Sequence, residues 1–126
     1  MKLVVIESPL SGNFKRNLRY ARLCALECKS RGESPCASHL FFTQFLDDRV
    51  HGDREFGIKA GFEWARHADL VALYWDLGIS GGMVKAREYW LSLGIPLEPG
   101  NLPTSLMRLL SQDVPLHTPG AIEVMR

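Results

Sequence analysis

Lys2-Leu3-Val4-Val5-Ile6-Glu7-Ser8-Pro9-Leu10-Ser11-Gly12-Asn13 places four branched apolar residues in a row and then turns polar at once. A run that is apolar at odd and even positions leaves no face for water, so it reads as a strand covered by protein on both sides. Glu7 and the turn-forming Ser8-Pro9 end it. A second run of the same kind, Leu70-Val71-Ala72-Leu73-Tyr74-Trp75, is ended by Asp76-Leu77-Gly78. Two such strands call for a parallel sheet between layers of helices, with these runs as neighbouring central strands.

The segments around them supply the rest. From Asn13 to about Arg31, Phe14, Leu18, Ala21, Ala25 and Cys28 recur at helical spacing, and Gly32 ends the helix. Lys15, Arg16, Arg19 and Arg22 lie on another side and read as a solvated basic face. Pro35–Phe42 predicts a second, more polar strand, and Thr43–Gly52 a loop of about ten residues. Asp53 reads as the N-cap of a helix that packs Gly57, Ala60, Gly61, Trp64, Ala65 and Ala68. A further helix is expected from about Gly81 to Leu93. A fourth strand follows at Ile95–Glu98, where Pro96 favours an edge or a strand start. Leu106, Met107, Leu109 and Leu110 suggest one short helix more. Trp64, Trp75 and Trp90 fall at core-like positions. The expectation is a small three-layer, doubly wound α/β fold, mainly parallel, with four to five strands and helices on both faces. Residues 1–100 form the domain, and 101–126 a C-terminal helix and tail packing on it or on a neighbouring subunit.

The 126 residues, 46% apolar and 23% charged, suit one domain. Fifteen Lys and Arg against fourteen Asp and Glu leave +1, too little to draw the molecule onto nucleic acid or an acidic membrane. No apolar run approaches the roughly 20 residues of a membrane span, and Met1 leads straight into a strand pattern without a secretory leader. A soluble cytoplasmic protein is expected. Cys24, Cys28 and Cys36 are an odd number in a helical context, so a disulfide framework is not indicated; Cys24 and Cys28 read as small core residues. His39, His51, His67 and His117 show no i, i+4 pairing and the cysteines no second pair, so no metal is expected.

In open parallel α/β sheets, ligands bind beyond the carboxyl ends of the strands. The residues there are Glu7 to Asn13, Ser38-His39, and Asp76-Leu77-Gly78-Ile79-Ser80-Gly81-Gly82, followed by Met83. Ser80-Gly81-Gly82 at a helix start offers amides and a hydroxyl to an anion or a ribose. The Lys of a Walker A loop is missing, and Gly78, Gly81 and Gly82 do not fit G-x-G-x-x-G, so no dinucleotide cofactor is expected. Ser11 and Ser80 read equally well as helix caps. Glu7 and Asp76, on rigid strand ends, are the candidate catalytic carboxylates, with Asp47 or Asp48 of the long loop as further acids. Arg54 can reach a phosphate bidentately, and His39 can bond a base or a ribose hydroxyl.

Ser8-Pro9-Leu10-Ser11-Gly12 after the first strand, with Asp76-x-Gly78-x-Ser80-x-Gly82 after the third, resembles the nucleoside 2-deoxyribosyltransferase-like superfamily. The resemblance covers residues 2–98 and is nearest to small members often encoded by bacteriophages. It implies a Rossmann-like fold, a homo-oligomer, no cofactor, and a nucleoside or nucleotide bound at these loops, with cleavage or transfer at its N-glycosidic bond. Ser8, Ser11 and Asn13 would meet one end of the ligand, Asp76 the ribose hydroxyls, and Ser80, Gly81 and Gly82 a phosphate or carboxylate. Pro9, Gly12, Ser38, His39, Asp48, Arg54, Gly78 and Met83 complete the expected site. One departure stands out. The family's nucleophilic glutamate lies four residues after the motif glycine, which here is Ala86 or Lys85, and neither can form a glycosyl intermediate. Glu88 lies about 200° around the helix from position 86 and reads as a solvated residue pairing with Lys85 or Arg87. A protein that only binds or sequesters a nucleotide signal, as a phage might use against host defence, is the alternative, and an assembly role with a vestigial pocket a third.

Overall fold

The computed structural model describes residues 1–116. Its elements are β1 (Leu3–Glu7), α1 (Phe14–Ser30), β2 (Ser34–Cys36), α2 (Ser38–Phe41), α3 (His51–Ala65), β3 (Leu70–Tyr74), α4 (Gly81–Ser92), β4 (Leu97–Gly100) and α5 (Thr104–Met107). Short 3₁₀ turns follow α2 and α5, at Phe42–Gln44 and Arg108–Ser111. The four strands form one parallel sheet in the order β2-β1-β3-β4. The two runs that are apolar on both faces are the central neighbours, with Val5 opposite Val71 and Glu7 opposite Leu73.

Strand alternation divides the core in two. Val4 and Ile6 pack with Leu70, Ala72 and Tyr74 under α1, joined by Leu102, Leu106 and Leu109 from around α5. Val5 and Val71 face the other way, onto Ala65 of α3 and Ala86 and Trp90 of α4. The sheet is therefore covered on both faces, and the chain reverses its direction of winding between β1 and β3. That reversal opens a crevice at the carboxyl ends of these two strands.

Several local expectations are corrected. The second strand stops at Cys36, and residues 38–41 are helical. The helical turn brings Phe41, Phe42 and Phe45 into mutual edge-to-face contact, and Phe42 onto Phe56 of α3, which an extended chain cannot do. Asp53 does not cap α3, which starts at His51; its carboxylate instead accepts the Asp47 amide at 2.9 Å and closes the preceding loop. β4 is displaced to Leu97–Gly100, so both edge strands carry a proline, Pro35 and Pro99. Trp90 is fully buried, whereas Trp64 and Trp75 are 66% and 47% exposed. Arg19 is not part of a free basic face: it donates to the carbonyls of Leu109 and Val114 at 2.7 and 2.8 Å and clips the C-terminal segment to α1. Residues 117–126 of the expected tail, His117 among them, lie outside the described residues.

Two polar residues on the buried side of α1 organise the loops above the sheet. Asn17 donates to the carbonyls of Leu10 and Ser11, at 3.0 and 2.9 Å, and pins the β1–α1 connection. The Tyr20 hydroxyl donates to Asp76 Oδ2 at 2.6 Å and accepts the Asp76 amide at 3.0 Å. The same Oδ2 accepts the Leu102 amide at 3.0 Å. With its amide turned to satisfy both neighbours, Asn101 donates to Asp76 Oδ1 and accepts from the Trp75 indole, each at 3.3 Å. Asp76 thus ties α1, the end of β3 and the β4–α5 connection together. Asp76→Ala strands a buried hydroxyl and an amide, so a loss of about 2–4 kcal/mol is expected from the urea midpoint, with an unchanged slope. A loss near zero would show that these bonds hold nothing in place.

Candidate functional site

The crevice at the end of β1 holds a cavity of about 300 Å³ between α3 and α4, at the small end of the roughly 300–1,000 Å³ typical of small-molecule sites. Glu7 reaches it because strand alternation puts residue 7 on the same side as Val5, over α4. There the Trp90 indole N–H donates to Glu7 Oε1 at 3.3 Å. Burial pushes the Glu7 carboxyl up to about 7, and the indole bond offsets only part of that rise. Ser8, the next residue, turns toward α2, where its Oγ lies 2.7 Å from His39 Nε2. Burial lowers the His39 imidazole to about 4, so it is neutral near pH 7.

Helix α2 stands where it does because Gly61 lets it approach α3. A Cβ at Gly61 would lie 2.8 Å from Ser38 Oγ. Arg54, Ile58, Gly61 and Phe62 face the cavity from α3 at i, i+4, i+7 and i+8 spacing, and Ser80, Gly82, Met83, Lys85 and Ala86 from the start of α4. Asp48 and Arg54 stand where it opens into a wider cleft of about 850 Å³ lined by Ser11, Gly12 and the loop around Asp47-Asp48-Arg49.

Of the residues singled out in the sequence, the structure brings Glu7, Ser8, Ser11, Ser38, His39, Asp48, Arg54, Ser80, Gly82 and Met83 to this cavity, and Gly12 to the adjoining cleft. Pro9, Asn13, Asp76, Gly78 and Gly81 do not line it. Asn13 caps α1 through the Arg16 amide at 3.1 Å, the role read for Ser11. Gly78 takes φ +90° in the turn after β3. Ser80 both caps α4, accepting the Met83 amide at 3.2 Å, and faces the cavity. Asp47 is held by Arg49 at 2.9 Å. Glu88 is exposed away from the cavity, and among the described residues it pairs with neither Lys85 nor Arg87. Leu10, Ile58, Gly61, Phe62, Lys85 and Ala86 line the cavity as well, without standing out in the sequence as ligand-facing. For those on α3, the helical stripe running on from Arg54 was the available signal. Among the described residues no cluster of three or more His, Cys, Asp or Glu could hold a metal ion, and no helix is long and apolar enough to cross a membrane.

Burial sets Glu7 and His39 against each other. In the folded chain Glu7 keeps its proton up to about pH 7, whereas an unfolded glutamate releases it near 4.5. Stability therefore falls as pH rises through that interval, by on the order of 3 kcal/mol. His39 stays neutral down to about pH 4, whereas unfolded histidine takes up a proton near 6.5. It removes stability as pH falls from 6.5 to 4. Glu7→Gln abolishes only the first effect. Its melting temperature should exceed the parent's by several degrees near pH 8 and match it near pH 4.5. A shift of the same size at both pH values would contradict the buried, proton-holding carboxyl.

Comparison with known proteins bears on this arrangement in two ways. The chain is similar in structure to a 2-deoxyribosyltransferase from the psychrotolerant bacterium Bacillus psychrosaccharolyticus, described as a biocatalyst for the synthesis of antiviral and antitumoral nucleosides. The TM-score is 0.64 at 14% identity, covering 90% of this chain and 77% of that one, a likeness of fold. Among curated proteins none matches in sequence. A family model described as a domain of unknown function, DUF7768, matches residues 2–99, and the chain belongs to that family.

Proposed function

We propose that the cavity binds a nucleoside or a nucleotide-derived small molecule, and that Glu7 promotes hydrolysis of its N-glycosidic bond without transferring the sugar to a second base. The observation that carries this reading is the Glu7 carboxyl, buried in the cavity and pushed to about 7. An acid with that pKa donates a proton at neutral pH and is restored after turnover. In the step proposed, the departing base nitrogen takes the Glu7 proton as the C–N bond breaks. Water bonds to the anomeric carbon and returns a proton to the carboxylate. Ser8, Ser38 and His39 line the same space and offer hydrogen bonds to sugar hydroxyls. The fold shared with a 2-deoxyribosyltransferase supports the ligand class.

Base exchange is left out because Ala86 and Lys85, the two positions where the resemblance to deoxyribosyltransferases would place a nucleophilic glutamate, line the cavity without a carboxylate to offer. The same missing glutamate favours a second reading, in which the protein binds and sequesters a nucleotide signal. We further read the chain as a cytoplasmic protein and as a homo-oligomer, the second supported by the exposed rings of Phe41, Phe45 and Phe56.

Incubation with each 2′-deoxynucleoside and its 5′-monophosphate, together with a second free base, is followed by chromatography. Release of base without exchanged nucleoside is expected, falling at least about 100-fold in Glu7→Gln. Exchanged nucleoside would overturn the hydrolytic assignment. Ligand-induced stabilisation without any release would leave the sequestering reading.

A further inference from the structure

Arg54 and Lys85 line the cavity from different helices, α3 and α4, and neither has a carboxylate within ion-pair distance among the described residues. Four other cations are differently placed. Arg31, Arg49 and Arg66 are paired with carboxylates, and Arg19 is held by two carbonyls. Unpaired cations on an open surface are ordinary; two that line one cavity from different helices favour an anion there. The acids that share the cavity cancel them only in part. Asp48 offsets one of the two charges, and Glu7 is fully ionised only above about pH 7. The lining therefore keeps a small excess of positive charge up to about pH 7, concentrated at Arg54 and Lys85.

We infer that the ligand of this cavity carries a phosphate group, held between Arg54 and Lys85, so that a nucleotide and not a free nucleoside is the preferred ligand. This rests on the reading of the cavity as a nucleoside site and narrows it. The donors are spread over separate walls. A guanidinium takes two oxygens side by side, and an ammonium acts as a point charge. Ser80, whose oxygen is engaged by the Met83 amide, keeps its O–H free to donate beside them. A tetrahedral phosphate presents three oxygens in different directions and meets all three groups, whereas a planar carboxylate presents two. Placing a dianion there also favours the protonated form of Glu7, the form that donates to a leaving base.

Titration calorimetry with the four common 2′-deoxynucleosides and their 5′-monophosphates tests this at low and moderate salt. A monophosphate is expected to bind at least about tenfold more tightly than its nucleoside, the preference shrinking as salt is raised. The double variant Arg54→Ala/Lys85→Ala should lose that preference. Both residues are exposed and unpaired, so its melting temperature serves as the folding control. If nucleoside and monophosphate bind equally, or if the preference survives in the double variant, the phosphate inference is overturned and the nucleoside site stands. If neither class binds at all, the nucleoside reading fails and this inference with it.

Discussion

Two five-residue strands with no polar face, Leu3–Glu7 and Leu70–Tyr74, impose a constraint from which most of the structure follows. Each needs a hydrogen-bonding neighbour on both edges and protein above and below, and parallel pairing with helical crossovers supplies all of these. Once β1 and β3 lie side by side with β2 and β4 outside them, the winding must reverse at the centre. The reversal leaves a gap that no connection crosses, and the cavity occupies it. Site and core thus share one cause.

The same alternation that buries Val5 carries Glu7 into the cavity wall. A carboxyl there is poorly solvated, and its single side-chain donor is an indole from the core itself. The chain keeps a group that works against its own folding at neutral pH, the sort of local conflict found where a site has been favoured over stability. Asp76 is the contrasting carboxylate. It ends the neighbouring strand but accepts bonds from α1 and from the β4–α5 connection, and so serves the scaffold. Two acids one strand apart are separated in role by which face of the sheet each one meets.

Much of this was legible in the sequence. Both central strands, α1 and α4 follow from apolar runs and helical spacing, and the candidate residues Glu7, Ser8, His39, Arg54 and Ser80, legible there, line one cavity. What escaped was decided by contacts distant in sequence. Residues 38–41 are helical because Phe42 is needed against Phe56, which no window of local pattern contains. Asp76 reads as a ligand-facing residue until Tyr20, fifty-six positions away, is seen to hold it. Trp64 and Trp75 match core spacing as well as Trp90 does, yet of the three only Trp90 enters a core cluster. Lys85 looks like one more solvated helix lysine until Arg54 is found lining the same space.

The edges of the sheet have a consequence for how the molecule behaves in company. An outermost strand ordinarily offers a free row of amides and carbonyls on which another chain can build. Here both outer strands are very short, three and four residues, and each is interrupted by a ring nitrogen that has no hydrogen to give, Pro35 on one side and Pro99 on the other. The ladder cannot be extended at either end without a missing rung. Among the described residues, strand addition is disfavoured at both edges of the sheet, which leaves helices and loops as the surfaces on which copies of this chain can meet.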